Sequence, residues 1–127
     1  MKRGLQIALG VLALIPGFFA VSGLIGGAGS YAGDAVPAAL DNQLRYLSGV
    51  YLIIPLLVVR IIGRIEEEGT TLSLIVSVLF IGALGRLYST VAIGAPPPQQ
   101  LVGMGLELGS PLLLIWQRFV AQHAKKL

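Results

Sequence analysis

The stretch LQIALGVLALIPGFFAVSGLIGG, Leu5 to Gly27, holds no charged side chain. It is roughly 20 residues long, the length an α-helix needs to cross the hydrocarbon core of a bilayer. Met1-Lys2-Arg3 precedes it, so a cleaved secretory signal is the rival reading, but the run exceeds a usual signal core and the first helix is expected to stay.

Outward from that stretch the same pattern repeats. Gly26-Gly27-Ala28-Gly29-Ser30 and Pro37 form a loop rich in turn residues, and Asp41-Asn42 offers an N-cap for a second helix over 43–62. Arg60, Arg64 and the acidic run Glu66-Glu67-Glu68 make a short solvated connection, closed by Gly69 and by Thr70-Thr71 as cap for a third helix over 71–91. Gly94 and Pro96-Pro97-Pro98 cannot continue a helix, so a fourth begins after them, over 100–120. Gln122 to Leu127 reads as a frayed basic tail. The expectation is an all-α integral membrane protein, a single membrane domain over 1–127 built as a four-transmembrane-helix bundle.

Composition agrees. Of 127 residues, 55% are hydrophobic and 12% charged, about half the charge of an ordinary soluble domain. The mean hydropathy is +0.84. The net charge of +3 does not argue for nucleic acid, because the basic residues sit at the ends of apolar runs and not along one face. Of nine Lys and Arg, Lys2, Arg3, Arg60, Arg64, Arg118, Lys125 and Lys126 fall on one side of the membrane, and Arg45 and Arg86 on the other. That bias puts both termini in the cytoplasm and leaves Asp34 and Asp41 outside. Tyr46, Tyr88, Trp116 and Phe119 lie near helix ends as interfacial anchors.

Without cysteine and with one histidine, His123, the chain has no disulfide frame and no metal site, and no cofactor is expected. Gly103 to Gly109, GMGLELG, is not a nucleotide loop, since no strand precedes it. No nucleophile with a base is visible, so an enzyme is not expected. Gly10, Ala13, Gly17 and Ala20 on the first helix, and Gly82 with Gly85 on the third, recur at intervals that let helices approach closely. Pro16, Pro55 and Pro111 each release a carbonyl four residues earlier and predict kinks.

One polar constellation is not explained by topology. Arg45, Arg86 and Glu107 fall inside helices, in the outer half, where a charge needs a partner or water. The midpoint between positions 86 and 107 falls in the proline turn, so Arg86 and Glu107 should be level on adjacent antiparallel helices and pair. Asn42 and Arg45 are three apart; Gly82, Arg86 and Ser89 share one face of their helix, as do Gly103, Glu107 and Ser110. Pro111 leaves the carbonyl of Glu107 as an extra acceptor. With its helix taken from Gln43, Arg45 has no acidic neighbour and is the cation left for a ligand. Asn42, Arg45, Arg86, Ser89 and Glu107 thus form either a structural network or an outward-facing pocket for a small anionic or lipid-like ligand.

These residues, Asn42-x-x-Arg45-Tyr46 with Gly49, then Gly82-x-x-Gly85-Arg86-x-x-Ser89 with Gly94-x-Pro96, then Glu107 and Pro111, resemble a bacterial family of small four-helix membrane proteins catalogued as domain of unknown function four-three-four-five. The resemblance covers nearly the whole chain. It implies the four-helix fold, and that Asn42, Arg45, Arg86, Ser89 and Glu107 match the family's polar positions; it implies no activity. Small multidrug transporters share the length and helix count, but their carboxylate lies on the first helix, which here has no acidic residue. The functional expectation is a non-enzymatic bundle in the lipid bilayer, associating with itself or with a larger membrane complex and binding such a ligand. Its rivals are a structural accessory subunit and a proton-coupled small transporter working through Glu107.

Overall fold

The computed structural model describes residues 1–33 and 35–126; Asp34, expected outside, and Leu127 lie beyond the described residues. The described residues form helices and no strand: α1 (Lys2–Gly26), α2 (Gly29–Ala32), α3 (Ala38–Tyr51), α4 (Ile53–Ile61) with a 3-10 turn at Ile62–Arg64, α5 (Gly69–Ala92), α6 (Pro98–Leu108) and α7 (Pro111–Lys125). Three segments are long and apolar enough to cross a membrane: Lys2–Gly26, Ala38–Arg64 and Gly69–Ala92.

Burial explains why these helices suit lipid. Along α1 the buried positions are Leu5, Leu9, Ala13, Pro16, Ala20 and Gly23, an unbroken three-and-four spacing that marks one face. The opposite face, Ile7, Val11, Leu14, Phe18, Val21 and Ile25, is equally apolar and exposed. Only 28%, 22% and 28% of the three apolar windows are buried inside the protein, which leaves most of each as apolar surface suited to a membrane.

The contacts divide the chain into two compact units, residues 10–60 and residues 1–9 with 61–127. The first is a helical hairpin. Backbone and side chain meet at Gly27 with Arg45, Gly23 with Ser48 and Gly17 with Pro55, so α1 and α3–α4 run antiparallel. A Cβ on Gly17 would meet the Pro55 ring at 3.7 Å, an ordinary contact, whereas one on Gly23 would collide with the Ser48 side chain. In the second unit α5 packs against both α6 and α7. Its buried face is Leu72, Ile75, Val76, Leu79 and Ala83.

Several element bounds differ from the sequence expectation, each for a local reason. The second helical segment starts at Ala38, directly after Pro37, so Asp41 and Asn42 lie in its first turns and do not cap it. It breaks at Leu52, just where Pro55 withholds the hydrogen bond that Tyr51 would accept. The glycine-rich loop contains the single turn α2. Thr71 does not cap α5; the N-cap is Glu68, and Thr71 Oγ1 donates to its carboxylate. The tail stays helical to Lys125, with His123 and Lys125 in the last turn, where positive charge suits the helix dipole. Pro16 lies within an uninterrupted α1.

The largest difference is in the fourth segment, which is two helices, α6 and α7. At the break Gly109 (φ −82°, ψ −7°) and Ser110 (φ −58°, ψ −29°) keep right-handed helical dihedrals. The amides of Ser110, Leu112 and Leu113 bond three residues back instead of four. Pro111, without an N–H, is the cause, and the result is a tightened joint between two rods, not a reversal.

Candidate functional site

In the hairpin unit, the end of α1 needs partners for its last carbonyls. The Ala28 N–H, which a continuing helix would give to Leu24, donates instead to Asp41 Oδ1 at 2.9 Å. Arg45 replaces it: Nη1 donates to the carbonyl oxygens of Leu24 (2.6 Å) and Ile25 (3.1 Å), while Nε donates to Asp41 Oδ2 (2.8 Å). These five groups thus close on each other around Gly27, whose φ of +60° is a left-handed conformation suited to glycine. A Cβ there would strike Asp41 Oδ1 and lie 2.6 Å from Arg45 Nη2.

This corrects the expectation that Arg45 is the free cation. Its acidic partner is one helical turn earlier, within the same helix, because α3 begins at Ala38 and not at Gln43. Asn42 is exposed on the same helix and makes no side-chain hydrogen bond among the described residues.

In the other unit, Gly103, Glu107 and Ser110 share a face, as their spacing predicts, and all three are buried. Glu107 is 4% exposed on α6, the helix packed on α5. Arg86 on α5 is half-buried, with its Nη1 inaccessible. Ser89 is exposed, and a Cβ on Gly82 or Gly85 would meet nothing within 4 Å, so these two glycines, unlike those of α1, are not at a close contact within the chain.

The Glu107 carbonyl is not left open by Pro111. Ser110 takes it twice, from Oγ (2.6 Å) and from its amide (3.2 Å). A hydroxyl reaching back three residues to a carbonyl is ordinary for serine, and it removes the extra acceptor that the sequence reading assigned to this spot. The buried polar stripe continues further than the sequence reading took it, to Gln117, which is 5% exposed and donates to the carbonyls of Ile65 (3.0 Å) and Glu66 (3.4 Å). Its position, seven residues and about two turns after Ser110, was the available signal.

The same unit gathers its charged end. Lys2 Nζ lies 3.0 and 2.8 Å from the two carboxylate oxygens of Glu66, Gln6 Nε2 donates to the Ile62 carbonyl (2.8 Å), and Trp116 rests on the backbone of Gly4. Arg64 meets Glu67 at 4.0 Å and Glu68 at 3.2 Å. In the acidic run read as a solvated loop, Glu67 is indeed exposed, whereas Glu66 and Glu68 are part-buried and paired, and the hydrogen bond from Lys2 holds the Glu66 carboxyl below its ordinary value of 4.5. Among the described residues no group of three or more His, Asp or Glu could hold a metal ion.

A family model described as Domain of unknown function (DUF4345) matches residues 4–117. The chain belongs to this family. No curated protein and no solved structure matches it. The DUF4345 match takes in both polar sites, from the end of α1 to Gln117, and leaves Lys2, Arg3 and the basic end of α7 outside. Of the five polar residues singled out in the sequence, Asn42 and Arg45 belong to the hairpin unit and Arg86, Ser89 and Glu107 to the other.

Proposed function

We propose that this DUF4345 protein is a non-enzymatic scaffold of the bacterial inner membrane, an accessory element that associates with itself or with a larger membrane complex. On this reading α1, α3–α4, α5 and the jointed α6–α7 make four crossings with both termini in the cytoplasm. The positive-inside bias supports it, as do the contacts that bring Lys2, Glu66 and Gln117 to one end of their unit.

The observation that carries the scaffold reading is the closure of Arg45 on Asp41 and on the carbonyls of Leu24 and Ile25. An arginine engaged in this way holds a helix end. Arg86 and Glu107 then pair across α5 and α6 and fix the jointed fourth segment in register.

A second reading keeps a small anionic or lipid-like ligand, moved from Arg45 to Arg86. Exposed Ser89 beside half-buried Arg86, with open space over Gly82 and Gly85, favours it.

Native mass spectrometry of the chain extracted with its membrane, alongside labelling of single cysteines, tests both readings. The scaffold predicts a retained protein partner or second copy, and a cysteine at Pro97 labelled only from outside. A small anion that is retained, and lost in Arg86→Gln, would replace the scaffold by the second reading. Labelling at Pro97 from the cytoplasm would overturn the topology.

A further inference from the structure

We propose that the surface formed by Arg3, by the end of α7 from Arg118 to Lys125, and by Lys126 just after it binds the headgroups of anionic phospholipids. The inference goes beyond the scaffold reading and does not depend on it. It begins from depth. Trp116 rests on Gly4 in the first turn of α1, with a Cβ at Gly4 coming to 2.9 Å of the indole, and Gln117 is bonded to the carbonyls of Ile65 and Glu66. Trp116 and Gln117 are therefore level with the start of one apolar span, Lys2–Gly26, and with the polar connection just before another, Gly69–Ala92. This is where hydrocarbon gives way to headgroups, the depth that tryptophan favours.

From that level α7 runs on to Lys125, a rise of about 12 Å, longer than the roughly 5–7 Å of one headgroup layer. Arg118 and Lys125 lie seven residues apart on one exposed face, while exposed Phe119 sits one residue on from Arg118. This segment thus offers an aromatic side chain and a cation, Arg118, within the layer, and at its outer side Lys125, whose long side chain can reach back to it.

Charge on the same end completes the argument. The acids Glu66, Glu67 and Glu68 already have cations in Lys2 and Arg64. Among the described residues no carboxylate lies within ion-pair distance of Arg3, Arg118, Lys125 or Lys126, all of them exposed. Phosphodiester headgroups are the anions found at that depth, and they can supply the counter-ions.

The experiment uses the full chain reconstituted in mixed phosphatidylcholine and phosphatidylglycerol, with co-ejected lipids counted by native mass spectrometry. The wild type should retain phosphatidylglycerol preferentially, by about fivefold for each effective cation, and the preference should weaken with salt. Lys125→Gln with Lys126→Gln, in the exposed last turn where folding is not at stake, should remove part of it; adding Arg3→Gln and Arg118→Gln should bring the ratio near that of the bulk lipid. An unselective wild type, or an undiminished preference in the Lys125/Lys126 variant, would overturn the proposal.

Discussion

Two arginines in membrane helices have opposite relations to their surroundings. Arg45 has its acidic partner one turn away on its own helix and donates its remaining hydrogen bonds to backbone carbonyls at the end of α1. Arg86 is half-buried on α5, beside a helix that carries a 4%-exposed carboxylate, Glu107, among buried Gly103 and Ser110. The first is a cap that any helix end with exposed carbonyls could recruit. The second involves a buried ionisable group, which in a bilayer is stable only with compensation from another element. An arginine's sequence position inside an apolar run therefore does not reveal its role; what matters is which unsatisfied group lies within its reach.

The largest expected effect separates the two sites directly. Arg86→Ala would leave Glu107 buried without its inferred partner and should destabilise the protein by about 3–5 kcal/mol. Glu107→Ala should cost less, because a half-buried arginine can extend its long side chain toward the interface. Thermal melts of both single variants and the double variant in detergent form a double-mutant cycle, and strictly additive losses would show that the two residues do not meet.

At the Arg45 site the expected loss is smaller. Arg45→Gln exposes two carbonyls that have no helical partner and should cost about 1–3 kcal/mol. Gly27→Ala should reach a similar loss by a different route, through a left-handed backbone and a collision with Asp41. If Gly27→Ala melted like the wild type, the closure around Arg45 would not be the arrangement that holds α1.

The smallest effect belongs to Lys2 and Glu66, whose side chains are 42% and 22% exposed. Because the folded carboxyl lies below its ordinary value of 4.5, the pair's contribution is fully present above that value and is lost as pH falls through the folded one. It should amount to less than about 1 kcal/mol. Comparing melting temperatures of wild type and Glu66→Gln across that acid range should show the difference vanishing at the acid end.

How much of this was legible in the sequence depends on the range of the interaction. The apolar runs place α1, α5 and the proline turn before α6 closely, and the spacing of Gly103, Glu107 and Ser110 picks out a face that is indeed buried. The Asp41–Arg45 pair was hidden by one local choice: with Asp41-Asn42 read as a cap, the helix began too late to contain it, although Pro37 was the better start signal. Ser110 reaching back to the Glu107 carbonyl was open to inspection, being a local habit of serine. Lys2 with Glu66, Gln6 with Ile62 and Gln117 with Ile65 were not, since each joins positions more than fifty residues apart and no period in the chain encodes it.

The joint at Gly109 and Ser110 bears on a count rather than on a shape. Alone, α6 rises about 16 Å and α7 about 22 Å, each short of the roughly 30 Å of hydrocarbon. On the proposed topology they cross together or not at all, and whether the C-terminus shares a compartment with the N-terminus is a matter of parity. On that topology, a joint that keeps Gly109 and Ser110 in helical dihedrals, with the Ser110 amide bonded three positions back, is what would keep the number of crossings even.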